Sequence, residues 1–332
     1  MLELLKKIVK APAISGREGA VADVISALME PICDEVYRDK LGNLIAVKHG
    51  SAPEGERKKI MFAAHMDEIG FFVTFIEDNG YIRLAPIGGI NFVAAAYTNV
   101  IFANGVKGVL VPETGTKADA LTFDKFYVDI GAKDKKEAER RVKIGDYFVI
   151  EPSVTRLCGK RVAGRPLDDR VGCAIMVETA RRVPTPRDDV YYVFTAQEEV
   201  GCRGAKTAAF AIAPDVAIAY DVTGTGDTIG AKPMAVKVGG GAAIKLKDSS
   251  VICSTELVAA LETAAREEKI AYQIEILPYG GTDTSSMQMA GSGCMAGCLS
   301  VPTRYIHSGV ELIDLGDVEA CVALTAAYLV RA

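Results

Sequence analysis

Residues 58–70, KKIMFAAHMDEIG, decide the fold class of this 332-residue chain. An apolar run of strand length leads there directly into a histidine and two acids. Apolar runs of similar length lead into two acids at residues 189–201, DVYYVFTAQEEVG, and into one acid at residues 214–224, PDVAIAYDVTG. Segments with helical spacing alternate with these runs, such as DDRVGCAIMVETARRV at residues 168–183. The alternation predicts an α/β fold with a mostly parallel central sheet flanked by helices.

The middle of the chain, from about Tyr81 to Leu157, has a different sequence pattern. Short β-type runs punctuated by glycine, proline and asparagine include YIRLAPIGG, YTNVIFANG and GDYFVIEP, and one charged helical stretch, KDKKEAERRV, interrupts them. This pattern predicts a small β-rich domain inserted into a larger one. We therefore expect a main domain in two parts, residues 1–70 and 161–332, and an inserted domain at residues 71–160.

The composition is that of a soluble protein with a substantial core, since 49% of the residues are hydrophobic and 24% are charged. A net charge of −5 argues against nucleic acid as the main partner. The sequence has no apolar stretch long enough to span a bilayer, and the start, MLELLKKIVKAPAISG, lacks the apolar block of a signal peptide. The eight cysteines form no CxxC pair and favour a reducing, cytoplasmic location.

Potential metal ligands stand in five short segments, mostly at the ends of predicted strands. Ligands of such sheets bind outside the carboxyl ends of the strands, so we expect these side chains to converge. The whole chain has only three histidines, and two of them lie in these segments. Two imidazoles with several carboxylates suit a pair of divalent metal ions, which implies a hydrolase. The candidates are His65, Asp67, Asp168, Asp169, Glu198, Glu199, Asp221 and His307.

The first two segments each allow a structural alternative. In the H-x-D step, His65 can bind metal while Asp67 accepts a hydrogen bond from the other ring nitrogen. A loop histidine capped by a neighbouring acid is the alternative. Asp168 and Asp169 begin a predicted helix, where acids are favoured as caps, but one of them can instead bridge two metals.

The remaining segments carry the other acids and the second histidine. Adjacent residues leaving a strand point in different directions, so one of Glu198 and Glu199 can bind metal while the other acts as general base; a solvated acidic turn is the alternative. Asp221 ends an apolar strand, where an acid is costly to bury unless it is paired or on a metal. His307 taken alone is also compatible with an ordinary loop histidine, and His49 receives no role.

Six segments together resemble the signature blocks of the glutamyl/leucyl aminopeptidase family, which consists of di-metal peptidases and includes the tetrahedral (TET) aminopeptidases. The resemblance extends over nearly the whole chain, because FYVDIGAKDKKEAERRVKIGD is similar to the inserted domain of this family. The matching segments are AAHMDEIG, PLDDRVGC, AQEEVGCRGA, YDVTGTGD, GGTDTSSMQ and RYIHS.

The resemblance implies a role for each candidate. Asp168 would bridge two metals, Glu199 and His307 would complete one metal site, and His65 and Asp221 the other. Glu198 would be the general base, with Asp67 orienting His65. Gly281 and Thr282 of GGTDTSSMQ are candidates for substrate binding.

The resemblance further implies zinc or cobalt as the two metals, a zinc-peptidase core and a PDZ-like inserted domain. This domain would help dimers to assemble into a dodecamer. The expected activity is removal of the N-terminal residue from short peptides.

Several alternatives remain open on the sequence alone. A carboxypeptidase or an N-acyl-amino-acid deacylase would keep the metals and change the substrate, an endoglucanase would use paired carboxyl groups, and a dead hydrolase core would serve only as a peptide-binding scaffold. Lys245 in AAIKLKDSS either contacts an acidic substrate side chain or lies, with Lys247, on the solvated face of a strand.

Overall fold

The computed structural model describes residues 1–331, which fold into an α/β structure with three groups of strands. One group forms a large central sheet, one a small sheet beside it, and one a closed barrel. In chain order the strands are β1 (Glu35–Arg38), β2 (Leu44–Lys48), β3 (Lys59–His65), β4 (Gly70–Ile76), β5 (Ile82–Ile87), β6 (Thr98–Phe102), β7 (Lys107–Pro112), β8 (Phe126–Asp129), β9 (Tyr147–Ile150), β10 (Ser153–Arg156), β11 (Arg161–Arg165), β12 (Asp189–Thr195), β13 (Val216–Thr223), β14 (Ala242–Lys247), β15 (Tyr272–Ile276), β16 (Met295–Pro302) and β17 (Glu311–Asp314).

The long helices belong to the central sheet, and two one-turn helices belong to the barrel region. Side-chain caps start several of them; for example, Ser254 accepts a hydrogen bond from the Leu257 amide at the start of α7. The helices are α1 (Leu2–Val9), α2 (Gly19–Met29), α3 (Phe92–Ala95), α4 (Lys135–Ala138), α5 (Arg170–Arg182), α6 (Arg203–Ile212), α7 (Thr255–Glu267), α8 (Asp283–Gln288) and α9 (Leu315–Arg331).

The central sheet has the strand order β1-β2-β12-β3-β13-β16-β14-β15. Its four middle strands, β12, β3, β13 and β16, are parallel, so their carboxyl ends meet at one edge. Both sides of this group depart from the expected parallel order, because β2 and β14 run antiparallel to their inner neighbours. The sheet is therefore mixed, although four of its seven strand pairings are parallel. At β1 and β2 the reason is local: the five-residue turn 39–43, held by the Asp39 carboxylate, joins them as a hairpin.

Hydrophobic side chains cover both faces of the central sheet. On one face, residues of α1, α2, α5, α7 and α9 pack against the sheet, and the rings of Phe62, Tyr192 and Tyr220 lie side by side. On the other face α6 and α8 cover β3, β12 and β13. The middle strands are consequently buried on both sides, as their uniformly apolar sequences predict.

The barrel closes in the order β4-β5-β8-β7-β6-β9 and has its own aromatic core. Phe71, Phe102 and Phe148 pack together inside it. All the β-type runs that the sequence indicated between Tyr81 and Ile150 are strands of this barrel. The charged stretch KDKKEAERRV forms only the single turn α4, which the Asp134 side chain caps.

Within residues 1–331, no helix combines the length and the apolar composition needed to cross a bilayer.

The guanidinium of Arg170, at the start of α5, joins three parts of the main domain. It is fully buried and donates to the main-chain oxygens of Ile8, Ala11 and Met66 at 2.9–3.0 Å. Its remaining nitrogen lies 3.3 Å from Glu68, a buried acid. The pair fixes the turn after β3 against α1 and α5.

We expect Arg170→Met to lower the free energy of unfolding by about 3–5 kcal/mol, because it leaves the Glu68 carboxylate and three carbonyls without their donor. Thermal unfolding followed by circular dichroism measures the effect. Arg181→Met, on the exposed end of the same helix, is the matched control and should change stability by less than about 1 kcal/mol. Equal melting temperatures for the two variants would contradict this role of Arg170.

Candidate metal centre

The site begins with His65, the last residue of β3, which is almost completely buried. Its Nε2 lies 3.0 Å from Asp168 Oδ1, and its Nδ1 lies 2.9 Å from the main-chain oxygen of Asp67. The main-chain contact keeps Nδ1 protonated, so Nε2 is the nitrogen that could bind a metal once it gives up its proton. Both ring nitrogens of His65 thus have fixed partners, and Nε2 faces the Asp168 carboxylate.

The carboxylate of Asp67 does not orient His65, contrary to the expected H-x-D arrangement. Its nearest oxygen is 3.6 Å from His65 Nδ1. It accepts hydrogen bonds instead from the amides of Glu198 and Glu199, at 3.1 and 3.2 Å, and from the Ser15 hydroxyl at 2.6 Å. The physical reason is that the tight turn after β3 brings the Asp67 carbonyl, rather than its side chain, to the imidazole. Asp67 thus holds the turn that carries both glutamates.

The two acids at the start of α5 have different partners. Asp169 caps the helix by accepting from the Gly172 amide at 3.0 Å, and it also accepts from the His65 amide at 3.2 Å. Asp168 faces the two histidines. The peptide bond between the two residues is cis. The capping alternative therefore holds for Asp169, and Asp168 is free to be a ligand.

Asp168 belongs to two groups of potential ligands at once. One group is His65, Asp168 and Asp221, and the other is Asp168, Glu199 and His307; within each group the ligand atoms lie within 4.8 Å of one another. His307 Nε2 is 3.2 Å from Asp168 Oδ2 and 3.3 Å from Glu199 Oε1. These nitrogen and oxygen donors fit two divalent ions that share one carboxylate.

Burial and crowding set the charges of these groups. Burial, followed by repulsion from neighbouring carboxylates, raises the pKa of Asp221 and of Glu198 well above the usual range. Burial also disfavours the ionised form of Asp168, but hydrogen bonds from His307 and His65 outweigh it and lower the pKa of Asp168. Buried carboxyl groups at such short separations ionise together only beside positive charge, which bound metal ions supply.

Glu198 stands in a third group, whose other members the sequence did not single out. The Cys202 thiol donates to Glu198 Oε1 at 3.2 Å, and the ligand atoms of Cys202, Glu198 and Asp283 lie within 4.8 Å of one another. Asp283 is buried and accepts from the Thr195 hydroxyl at 2.5 Å. Asp283 lies within the glycine-rich block GGTDTSSMQ, and the resemblance of this block to the family is the sequence feature that could have identified Asp283.

A loop of the barrel lies against two of the candidate metal ligands. A β-carbon on Gly88, whose φ is +78°, would lie 3.0 Å from Glu199 Oε2 and 2.5 Å from Ile69. One on the next residue, Gly89, would lie 3.4 Å from His307 Nδ1. Glycine is therefore required at residue 88, where the barrel approaches a ligand of the centre.

The three proposed substrate-binding residues have different positions. Gly281 lines the cleft over the metal-binding groups. The Thr282 side chain is buried and caps α8 by accepting from the Thr284 amide. Lys245 is completely buried, 2.5 Å from Glu275 and 3.5 Å from Asp248, so its assignment to a solvated strand face is wrong and it does not line the cleft. Neighbouring acids on β15 and after β14 hold its ammonium inside the protein.

The cleft has a volume of about 490 Å³ and lies at the carboxyl ends of the parallel strands. His65, Asp168, Glu198, Glu199, Asp221 and His307 form one part of its lining. The other part is apolar or carries hydroxyl groups, and includes Thr225, Thr228, Leu277, Tyr279, Tyr305 and Ile306. The third histidine, His49, lies elsewhere on the surface beside Glu35. The cleft therefore combines the candidate metal ligands with a neighbouring lining of apolar and hydroxyl-bearing side chains.

Comparison with known proteins connects this site to one family. The model of the M42 glutamyl aminopeptidase family matches residues 42–324. A lysyl aminopeptidase of Pyrococcus furiosus is 37% identical over 340 residues, covering 98% of this chain and 96% of the relative.

Two solved structures are also similar. Aminopeptidase APDkam598 of Desulfurococcus kamchatkensis superposes with a TM-score of 0.95 at 36% identity, covering 100% of this chain and 94% of the other. The TET1 peptidase of Pyrococcus horikoshii, which can assemble into a tetrahedron or a large octahedral shell, has a TM-score of 0.88 at 33% identity and 99% coverage of both chains. The chain belongs to the M42 glutamyl aminopeptidase family and is a metal-dependent aminopeptidase.

Proposed function

We propose that this aminopeptidase removes the N-terminal residue of short peptides with two divalent ions, Zn²⁺ or Co²⁺, that share Asp168. The observation that carries this proposal is the contact of Asp168 with both histidines, at 3.0 and 3.2 Å, in two overlapping ligand groups. Imidazole and carboxylate donors suit these metals. Bound there, the ions would acidify water and polarise a peptide carbonyl.

His65, Asp168 and Asp221 would hold one ion, and Asp168, Glu199 and His307 would hold the other. Each set combines residues from separate elements, which the fold holds rigidly. His65 and Asp221 lie on the adjacent strands β3 and β13, and Glu199 lies on the turn that Asp67 fixes. His307 has a φ of +58°, a strained conformation that non-glycine residues hold at functional sites.

Glu198 is the general base of the proposed reaction. Its carboxyl group lines the cleft and lies beside Glu199, so it reaches the space next to the ligand groups. It accepts the proton of the attacking water and returns it to the leaving amine. Asp67 is a positioning residue, since its carboxylate holds the Glu198 amide.

Restriction to the N-terminal residue follows from the chemistry of the free α-amino group. Its nitrogen can give up a proton and offer a lone pair to a metal ion held by the side chains that line the cleft, whereas the amide nitrogen of a blocked or internal residue cannot. N-acetylated peptides and internal peptide bonds are therefore poor substrates, which distinguishes this enzyme from a deacylase or a carboxypeptidase.

Assembly into a homo-oligomer, with dimers combining into a dodecamer, is also part of the proposal. It is supported by 33% identity over 99% of the chain to the TET1 peptidase that assembles into a tetrahedron. We propose that residues 71–160 form a PDZ-like inserted domain that mediates this assembly, and that residues 1–70 and 161–332 form the catalytic domain. The closed barrel of β4–β9, with its separate aromatic core, supports this division.

Asp168→Asn should reduce binding of both metal ions, because both ligand groups lose their shared charge. Asp221→Asn and His307→Gln should each reduce the binding of one ion and leave the other. Metal content after exhaustive dialysis, measured by atomic emission, tests this. His49→Gln, a surface histidine outside the cleft, is the control and should keep the wild-type content. Unchanged metal content in Asp168→Asn would contradict the shared-ligand arrangement.

Glu198→Gln should keep its metal content and lose kcat by about 10²–10⁴-fold, because the amide cannot accept the proton of water. Glu199→Gln is the matched variant at the neighbouring position and should lose metal as well as activity. Hydrolysis of aminoacyl-p-nitroanilides, with metal content determined on the same samples, separates the two effects. A Glu198→Gln enzyme with near-normal turnover would exclude this residue as the base.

Removal of the metals with a chelator should abolish hydrolysis, and addition of Zn²⁺ or Co²⁺ should restore it. The same assay on N-acetylated peptides should give little product, since the free amine is absent. Full activity after exhaustive chelation, or faster cleavage of the acetylated peptide, would contradict the proposal.

A further inference from the structure

The apolar part of the cleft has no role in the proposed proton transfers. Its lining residues come from the loops that follow β13, β15 and β16, and they include Thr228, Leu277 and Ile306. Methyl, hydroxyl and ring groups are what a substrate side chain would contact here. The charges near this pocket therefore decide which N-terminal residue it accepts.

Arg304 is the only lysine or arginine among the described residues that line the cleft. One edge of its guanidinium is occupied, because Nε donates to Asp227 Oδ1 at 3.1 Å and Nη2 donates to Asp227 Oδ2 at 2.6 Å. This two-pronged geometry is the strongest form of an arginine–carboxylate pair. The positive charge of Arg304 is thus already neutralised.

The partner acid is itself held in place. Asp227 follows β13 and also accepts a hydrogen bond from the Val238 amide at 3.2 Å. The hydrogen bond from Arg304 is the main cause that lowers the pKa of Asp227 to about 2. Asp227 therefore stays ionised at neutral pH and keeps Arg304 paired.

A second cation, Lys245, lies behind the wall of the pocket and is neutralised in the same way. Its ammonium contacts Glu275 and Asp248, and all three side chains are fully buried. Thr223, which lines the cleft, donates to the same Glu275 oxygen at 2.8 Å. Lys245 therefore has no free contact to offer to a substrate.

We propose that the cleft selects an uncharged apolar N-terminal side chain, such as leucine, over an acidic one, and that Asp227 sets this selectivity by neutralising Arg304. The inference rests on the proposed function, since it concerns the residue that the enzyme removes. A glutamyl side chain in this pocket would lose water beside an arginine that is already paired with Asp227. A leucyl side chain gains from leaving water.

The test compares kcat/KM for leucyl-, glutamyl- and lysyl-p-nitroanilide with the metal-loaded enzyme. The wild type should prefer the leucyl over the glutamyl substrate by at least about 100-fold. Asp227→Asn frees Arg304 and should raise the glutamyl-to-leucyl ratio by about tenfold or more. The double variant Asp227→Asn/Arg304→Gln should return this ratio to the wild-type value, which assigns the gain to Arg304.

Two further variants complete the design. Asp78→Asn removes an exposed carboxylate on a barrel turn and should leave the ratio unchanged. Arg304→Gln frees Asp227 instead and should raise the lysyl-to-leucyl ratio, so the role of the pair is testable even when Asp227→Asn does not fold.

Equal wild-type rates on the glutamyl and leucyl substrates would overturn the selectivity and leave the aminopeptidase assignment intact. Ratios that stay at the wild-type value in folded Asp227→Asn and Arg304→Gln would overturn the role of the pair. Failure of the metal-loaded enzyme on every anilide would instead overturn the proposed function.

Discussion

The structure depends on one buried carboxylate, Asp168, that contacts two imidazoles from opposite sides. The position of Asp168 is fixed by its main chain, since Glu311 on β17 accepts hydrogen bonds from the amides of Leu167 and Asp168 at 2.6 and 3.1 Å. Arg165 stands behind this arrangement, 3.5 Å from Glu311, and donates to the carbonyl of Ser308, next to the second imidazole. The small sheet beside the central one is thus a support for the metal centre.

Much of the fold and of the site follows from the order of apolar runs and acids in the sequence. An acid at the end of a strand that is buried on both faces would be costly to bury without a partner. We therefore expect such an acid to face a cleft at the edge of the sheet, and this argument applies to Glu198 and Asp221. The β-type runs of the middle segment could be recognised from the sequence in the same way. Alternation of strands and helices gave no information on the outer strands, because a turn such as residues 39–43 reverses the chain direction without changing the pattern.

Roles that depend on side-chain direction were beyond sequence reasoning. Asp168 and Asp169 are chemically identical neighbours that their residue types do not distinguish. The family resemblance assigned Asp168 as a ligand, and the geometry at the start of α5 makes Asp169 the cap. Asp67 was expected to contact His65 through its side chain, yet the turn presents the carbonyl. Lys245 looked like a surface residue, since its acidic partner Glu275 is thirty positions away along the chain.

The hydrogen bonds of Asp67 restrict how the sequence of the site can diverge. The Asp67 carboxylate accepts hydrogen bonds from the amides of both Glu198 and Glu199. The positions of the proposed base and of the neighbouring ligand therefore depend on the same side chain. A shift of the backbone after β3 would therefore move Glu198 and Glu199 together. Evolution cannot adjust proton transfer here without also disturbing cation affinity, whereas the loops after β13 and β15 carry none of the proposed metal ligands. New substrate preferences are therefore most accessible to mutation in those loops, with the reaction chemistry left unaltered.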